Sequence, residues 1–253
     1  MFSKAKISYI NSLNDKKHRN KHNVFIVEGE KMSEDVLKST YKIEEIFYTD
    51  KLSERINLHE VNCEKICIDF SQMKKISQLK TPSTILMIVK IPEILNPEIQ
   101  NYELTIVLDG VQDPGNLGTI IRVADWFGVK NIFCSEDSAD VFNPKVVQAT
   151  MGAITRVNVS YCKLTELLKN TKLPIFGTFL DGENIYSKDL PECGVIIMGN
   201  EGKGVSKDVE KLVTEKLYIP PFPANAECVE SLNVSIATAI TLSQFRGKLS
   251  NGR

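Results

Sequence analysis

The sequence predicts an α/β fold in two parts, and three observations lead to this prediction. Short apolar segments typical of buried strands alternate with segments of helical periodicity along most of the 253 residues. A stretch with two prolines and little periodicity, Ile91–Tyr102, interrupts the alternation as a linker would. After it, several strands end in polar or glycine-rich turns, where α/β sheets place their ligands. We therefore expect one domain over residues 1–92, a linker over 93–103 and a second domain over 104–253.

The N-terminal part begins with a basic segment. Its charged residues are Lys4, Lys6, Asp15, Lys16, Lys17, Arg19 and Lys21. Such a run is either a solvated surface or a nucleic-acid contact, and the sequence leaves both open. Within it, Ile7, Ile10 and Leu13 predict a weakly amphipathic helix, and KKHRNKHN follows as a polar segment. The expected strands are Val24–Val27, Ile43–Tyr48, Lys65–Ile68 and Thr84–Val89, and the expected helices are Glu30–Lys38, Lys51–Asn57 and Ser71–Leu79.

The second part continues the same alternation to the end of the chain. Its expected strands are Thr105–Leu108, Asn131–Cys134, Val157–Val159, Ile175–Phe179, Val195–Met198 and Leu217–Ile219. Its expected helices are Asn116–Phe127, Pro144–Met151, Leu164–Lys169, Ser206–Val213 and Ser231–Lys248.

Composition excludes several classes of protein. The net charge of −1 argues against general polyanion binding by the whole chain. The six cysteines form no CxxC pair and show no zinc-ligand spacing, so we expect free thiols and no metal. No signal peptide opens the sequence, and no apolar run is long enough to cross a membrane. We therefore expect a cytoplasmic protein without a membrane partner.

The first stretch that could carry chemistry is LTIVLDGVQDPGNLGTIIRVADWFGV, residues 104–129. It predicts a strand, a tight turn with Asp113-Pro114-Gly115, and a helix. Asn116 stands where a helix N-cap is expected. Arg122 comes later in the same helix and lies outside its apolar face. The alternative is a plain connector in which Arg122 pairs with Asp125.

The second stretch is the glycine-rich turn Gly199–Gly204, which follows the apolar strand Val195–Met198. It matches neither the P-loop nor the dinucleotide-binding fingerprint. Glu201 within it would face whatever the loop binds. The alternative is a salt bridge within the loop, to Lys203 or Lys207.

The third stretch is IPPFPANAECVESLNVSIATAITLSQF, residues 219–245. Its prolines force an extended segment, after which Ser231 or Glu230 can cap a helix. Asn233 is a poor helix former in the first turn, so either a polar partner or another cap bond should explain it. There is no GxSxG elbow, no HExxH motif and no acidic cluster suited to paired metals.

Together the three stretches resemble the three motifs of the SpoU-type RNA ribose 2′-O-methyltransferases of the SPOUT class. The first motif is Asp109–Gly118 followed by Arg122, and the second is Met198–Gly204. The third is Ile219-Pro220 followed by Ser231-Leu232-Asn233-Val234-Ser235. Three motifs in this order, each at the end of a strand, are highly specific.

The resemblance implies a parallel-sheet α/β domain with a deep C-terminal trefoil knot, working as a homodimer. It also implies S-adenosyl-L-methionine as cofactor, in a pocket formed by Thr178, Gly199, Ile219 and Leu232. The polar catalytic positions of the family correspond to Asn116, Arg122, Glu201, Ser231 and Asn233. Through Phe25-Ile26-Val27-Glu28-Gly29, the first part is similar to the family's substrate-binding domain, a ribosomal-protein-type α/β RNA binder.

The implied reaction is 2′-O-methylation of a ribose in structured RNA, and the separate N-terminal domain favours ribosomal RNA over transfer RNA. Arg122 either accepts the proton of the 2′-hydroxyl or holds a phosphate or the developing oxyanion. The segment between Pro220 and Ser231 is longer than usual in the family and lacks the usual glycine, so Phe222–Glu230 cannot be aligned. An RNA-binding or assembly module that does not methylate is the alternative; a nucleotide-dependent α/β enzyme is disfavoured because both glycine fingerprints are absent.

Overall fold

The structure is a computed structural model that describes residues 2–93, 98–223, 229 and 231–247. Contacts within the chain define two compact units. The first comprises Met1–Glu93 and Asp140–Arg156, and the second comprises Ile94–Ala139 and Val157–Arg253. Both units contain a sheet with helices, so the predicted α/β fold is confirmed. The segment 140–156 groups with the N-terminal unit, although the expected second domain includes it; the domain boundaries stay a prediction.

The strands within the described residues are β1 Val24–Glu28, β2 Ile43–Tyr48, β3 Glu64–Cys67, β4 Ile85–Lys90, β5 Leu104–Asp109, β6 Asn131–Cys134, β7 Asn158–Tyr161, β8 Ile175–Asn184, β9 Gly194–Gly199 and β10 Glu215–Tyr218. The α-helices there are α1 Lys4–Ser12, α2 Lys16–His22, α3 Glu30–Leu37, α4 Phe70–Ile76, α5 Pro114–Trp126, α6 Pro144–Thr150, α7 Leu164–Lys169, α8 Lys207–Glu210 and α9 Val234–Gly247. A short 3₁₀ turn, Ala153–Thr155, follows α6.

The first unit contains a four-stranded sheet in the order β1-β4-β2-β3. β4 pairs antiparallel with β1 and β2, whereas β2 and β3 are parallel. Glu28 at the end of β1 is buried, and its carboxylate accepts hydrogen bonds from the backbone N–H groups of Gln78 (2.9 Å) and Ser83 (3.3 Å). These hydrogen bonds fix the loop that leads into β4. Glu28 belongs to Phe25–Gly29, the segment through which the sequence resembles the family's substrate-binding domain.

One predicted helix of this unit does not form, and one helix that forms is not predicted. No helix forms at Lys51–Asn57, where the backbone instead closes separate turns, from Leu52 N to Thr49 O and from Ile56 N to Ser53 O. Conversely, the polar segment after α1 forms the helix α2. Asp15 caps it by accepting a hydrogen bond from Lys17 N at 2.8 Å, which apolar periodicity does not reveal.

Arg19 on α2 is buried, with only 2% of its surface exposed. Its guanidinium donates to the carbonyl oxygens of Leu13 and Asn14, each at 2.8 Å, and forms an ion pair with Asp140 at 2.5 Å. The interpretation of Arg19 as part of a basic surface is therefore wrong, because its charge is neutralised inside the unit. The basic surface of the N-terminal segment is left to its lysines.

The second unit contains a six-stranded sheet in the order β10-β8-β9-β5-β6-β7, and every pairing in it is parallel. The central strands β5 and β9 are buried along nearly their whole length, and α5 packs against α9. Because all strands run in one direction, their carboxyl ends lie along one edge of the sheet. The three candidate stretches follow β5, β9 and β10 at that edge.

Three further features of the described residues bear on function. No described helix is long and apolar enough to cross a membrane. No group of three or more His, Cys, Asp and Glu residues within the described part could hold a metal ion. Cys63, Cys67, Cys134, Cys162 and Cys193 are free thiols, as expected.

Candidate active site

Asn116 occupies the third position of α5 and does not cap it. The cap is Asp113, whose carboxylate accepts a hydrogen bond from Asn116 N at 2.8 Å, and Pro114 takes the first helical position. The prediction that Asn116 is the N-cap is therefore wrong by three residues. Because Asp113 caps the helix, the amide side chain of Asn116 can form hydrogen bonds with other parts of the site.

The Asn116 side chain joins all three candidate stretches. Its Nδ2 donates to Glu201 Oε1 at 2.8 Å, and its Oδ1 accepts from Asn233 Nδ2 at 2.9 Å. An amide group can do both at once because it carries a donor and an acceptor. Glu201, which lies 85 positions away in the sequence, and Asn233, which lies 117 positions away, thus meet at the Asn116 side chain.

Asn233 lies directly before α9 and has two roles. Its Oδ1 accepts hydrogen bonds from Ser235 N at 2.9 Å and Ser235 Oγ at 2.6 Å, and its carbonyl accepts from Ala237 N. These bonds make it the N-cap of the helix, so the predicted helix start at Ser231 is wrong. The two explanations left open for Asn233, a cap bond and a polar partner, both hold.

The glycine-rich turn closes on itself and presents Glu201 at its tip. Asn200 and Gly204 exchange backbone hydrogen bonds of 3.0 and 2.9 Å. A Cβ on Gly199 would lie only 2.4 Å from the carbonyl carbon of Gly204, so this close approach requires glycine. Among the described residues no ion pair joins Glu201 to Lys203 or Lys207, the proposed alternative for this carboxylate.

Asn200 is a structural residue of the site that sequence reasoning missed. Its Nδ2 donates to the carbonyl of Gly110 at 2.7 Å, and its Oδ1 accepts from the backbone N–H groups of Gly202 and Lys203. It therefore shapes the turn after β9 and ties that turn to the one after β5. An Asn within a glycine-rich turn at a strand end was the available signal.

The structure does not bring Arg122 and Ser231 into the hydrogen-bonded group. Arg122 is exposed on α5, and among the described residues nothing forms a hydrogen bond or ion pair with it, so the alternative pairing with Asp125 is absent. Ser231 is also exposed, and no hydrogen bond joins it to the described part of the chain. Glu230, the other cap candidate, lies outside the described residues.

The expected cofactor positions lie along the same edge of the sheet. Thr178 Oγ1 donates to Met198 Sδ at 3.8 Å, and Met198 directly precedes Gly199. Ile219 follows the last residue of β10, and Leu232 beside Asn233 is 46% exposed. Of the segment Phe222–Glu230, whose role the sequence leaves open, residues 224–228 and 230 lie outside the described residues.

This donor set fits an adenosine-containing sulfonium compound. Gly199 at the end of β9 and Ile219 just after β10 would supply backbone groups, Thr178 a hydroxyl, and Leu232 an exposed apolar side chain. Such groups suit an uncharged nucleoside. Glu201 supplies a carboxylate, which suits a positively charged sulfur.

Fold and site together define a class of protein: an α/β protein with its polar site at the carboxyl edge of a parallel sheet. Residues 103–243 match the model of the SpoU rRNA Methylase family, and residues 4–87 match the model of the MRM3-like substrate binding domain. The chain belongs to the SpoU rRNA Methylase family.

Relatives and solved structures agree with this assignment. The chain is 31% identical over 240 residues to the 23S rRNA (guanosine(2553)-2′-O)-methyltransferase RlmP of Bacillus subtilis (strain 168), covering 93% of each chain. A TrmH-family structure from Porphyromonas gingivalis is 38% identical, with a TM-score of 0.84 over 98% of this chain and 99% of that one. An AdoMet-bound rRNA methyltransferase structure from Sinorhizobium meliloti is 26% identical, with a TM-score of 0.85 over 98% and 97%.

Proposed function

We propose that this protein transfers a methyl group from S-adenosylmethionine to the 2′-oxygen of a ribose in structured RNA, with ribosomal RNA favoured over transfer RNA. The observation that carries the proposal is the hydrogen-bonded group Glu201–Asn116–Asn233, in which the three family motifs meet. The rRNA methyltransferases of Bacillus subtilis and Sinorhizobium meliloti named above support the choice of substrate. A ribosomal RNA substrate is also the reason to propose that the protein acts in the cytoplasm.

The cofactor would be held by Thr178, Gly199, Ile219 and Leu232, and when bound it supplies an already activated methyl group. The chain's own task is therefore chiefly to position the ribose hydroxyl, since alignment alone can lower the barrier greatly. Asn116 suits this task because Glu201 and Asn233 fix the orientation of its amide. Ser231 is proposed to complete the hydrogen bonds once substrate is present.

Arg122 is proposed to bind an RNA phosphate or the oxyanion that develops on the ribose. It is exposed, and a guanidinium in water stays protonated, so a role as proton acceptor fits its surroundings poorly. A fixed positive charge stabilises negative charge that builds up in the transition state. Exposure also leaves this side chain accessible to a large polyanion.

The N-terminal unit is proposed to bind the RNA substrate, on the strength of its match to a substrate binding domain. Lys17 and Lys21 lie on the exposed surface of α2. Replacing both by Gln should weaken RNA binding and flatten its dependence on salt, because each phosphate contact releases counterions. An unchanged salt slope in a filter-binding titration would show that these lysines are only solvated.

We also propose that the protein is a homodimer with a knotted C-terminal domain. Trp126 on α5 is 86% exposed and Ile236 on α9 is 50% exposed, so these two packed helices present apolar side chains outward. Aromatic side chains such as that of Trp126 are enriched at protein interfaces. Analytical ultracentrifugation should give twice the chain mass; a monomer at micromolar concentration would contradict the dimer.

Radiolabelled methyl transfer tests the proposed reaction. The protein is incubated with tritiated S-adenosylmethionine in two separate reactions. One contains unmodified ribosomal RNA and the other contains unmodified transfer RNA. Incorporation into ribosomal RNA is the expected result. Incorporation into transfer RNA alone would overturn the substrate assignment, and no incorporation into either would support an RNA-binding module without methylase activity.

A further inference from the structure

Strand β8 contains a bulge at the edge of the proposed cofactor pocket. Its residues Phe176 and Gly177 pair with Glu215 and Lys216 of β10, but pairing resumes only between Glu183 and Leu217. The segment 178–182 therefore lies outside the ladder between the two strands, and the pairing of β8 with β9 also ends at Gly177. This segment begins with Thr178, one of the proposed cofactor positions.

The point at which the chain rejoins the strand ladder after the bulge is sterically fixed. A Cβ on Gly182 would lie 2.5 Å from the carbonyl carbon of Leu217, so the chain passes directly against the backbone of β10 at this point. In the middle of the bulge Leu180 is 73% exposed, and the Phe179 ring lies against Gly177, where a Cβ would come within 2.4 Å of Phe179 Cε2. Because Phe179 to Asp181 lie outside the ladder, side-chain contacts must hold them in place.

Lys216 on β10 makes the contacts that can do so. Its Nζ donates to Asp181 Oδ2 at 3.0 Å and lies 4.5 Å from the centre of the Phe179 ring, so it holds two residues of the bulge. It also donates to Glu210 Oε1 on α8 at 2.8 Å. One ammonium group thus links the bulge, β10 and α8.

These contacts differ in arrangement from an ion pair within one helical segment. Lys211 and Asp208, for comparison, pair within the same short helical segment with side chains 73% and 78% exposed. Exposed pairs of that kind contribute little to stability. The Lys216 side chain is 34% exposed, against 70% for Asp181 and 38% for Glu210. The two carboxylates come from different elements, so their contacts with Lys216 fix the position of one element relative to another.

We propose that Lys216 is a positioning residue of the cofactor pocket: it holds the bulge 178–182 in its place and thereby sets the affinity for S-adenosylmethionine. This inference rests on the proposed function. Lys216 lies three residues before Ile219, and the bulge begins at Thr178, whose hydroxyl contacts Met198 beside Gly199. The same side chain therefore connects the elements that carry two of the proposed cofactor positions, Thr178 and Ile219.

The charges that these contacts need are present at neutral pH. The hydrogen bond from Lys216 lowers the pKa of Asp181, and the hydrogen bonds to Glu210 and Asp181 raise the pKa of Lys216. Both groups are thus charged over the whole range in which the protein would work.

Binding of S-adenosylhomocysteine, measured by titration calorimetry, tests the inference without requiring turnover. Lys216→Met keeps the length of the side chain and removes its charge; we expect binding to weaken about tenfold, the combined worth of one cation–π contact and an ion-pair network. Lys216→Arg should restore most of the affinity, and Lys211→Met should bind like the wild type. In methylation assays kcat at saturating cofactor and KM for RNA should change little, while KM for S-adenosylmethionine rises.

Amide hydrogen exchange of the free protein gives a second readout. In Lys216→Met, the amides of residues 178–182 should exchange faster while those of β5 and β9 keep their protection. Asp181→Asn serves as a second variant, in case Lys216→Met folds poorly, and should change binding in the same direction. Wild-type affinity and exchange in both variants would overturn the inference alone, whereas a wild-type protein that ignores S-adenosylhomocysteine would overturn the proposed function and this inference with it.

Discussion

Asn116 Nδ2 lies 2.8 Å from Glu201 Oε1, although 85 residues separate the two in the sequence. This hydrogen bond exists because α5 begins at Pro114 and presents Asn116 from its first turn, while the turn after β9 closes tightly enough to hold Glu201 opposite. With Asn233 bonded to the other end of the amide, Asn116 has little freedom to rotate. The candidate site is therefore organised around one neutral side chain.

Replacing Asn116 by Ala should lower kcat/KM for RNA about a hundredfold, because a small misplacement of a reacting hydroxyl has an effect of that order. Binding of S-adenosylhomocysteine should stay close to that of the wild type. Asn101→Ala, at an exposed turn position in the same unit, is the matched control. Equal methylation rates for Asn116→Ala and the control would remove Asn116 from the mechanism.

Replacing Arg122 by Ala should abolish methyl transfer while fold and cofactor binding remain, since the side chain is exposed and forms no hydrogen bond or ion pair with the described residues of the chain. Arg122→Lys should retain part of the activity, because a role in binding negative charge needs a cation rather than a proton acceptor. Steady-state kinetics over a range of pH distinguish the two roles. Full activity of Arg122→Ala would contradict both.

Replacing Arg19 by Ala should destabilise the protein by about 3 kcal/mol, since removal of one partner leaves Asp140 without its buried counter-charge. Urea denaturation measures the loss. Lys17→Ala on the exposed side of the same helix should change the free energy of unfolding by less than about 0.5 kcal/mol. A small effect of Arg19→Ala would show that the ion pair contributes little to folding.

The stability of the N-terminal unit should fall at alkaline pH through Tyr41. Its hydroxyl donates to the carbonyl of Ile154 at 2.7 Å, and burial raises its pKa from 10.0 to about 12. Because the folded pKa is the higher one, the contribution is complete below pH 10 and is lost as the pH rises towards about 12.

Comparison with Tyr41→Phe isolates this effect from the other titrating groups. Between pH 9 and pH 12 the wild type should lose about 2 kcal/mol of stability relative to the variant, the free energy that corresponds to the shift of the pKa. A constant difference between the two proteins over this range would mean that Tyr41 titrates normally.

Sequence reasoning located the three stretches of the site because strand patterns and turn residues are local signals. The apolar run of β5, the Asp-Pro-Gly turn and the glycines after β9 each specify their own backbone. What the sequence could not supply was the partner of each polar side chain. Asn116 and Asn233 both look like caps, and only the packing of α5 against α9 shows that they bond to each other.

The remaining differences have the same origin. The burial of Arg19 depends on Asp140, 121 residues away, so nothing near it in the sequence distinguishes it from the neighbouring surface lysines. The bulge in β8 depends on the register with β10, which a strand pattern alone does not set. Asn200 is a different case, because an Asn within a glycine-rich turn is a local signal for a side chain that shapes the turn.

Mass spectrometry of the nucleosides in ribosomal RNA tests the central claim most directly. Unmodified ribosomal RNA is incubated with S-adenosylmethionine and either the wild-type protein or Asn116→Ala, then digested to nucleosides. We predict one additional 2′-O-methylated nucleoside with the wild type and nearly none with the variant. The absence of any ribose-methylated product with the wild type, or an equal yield from both proteins, would contradict the account.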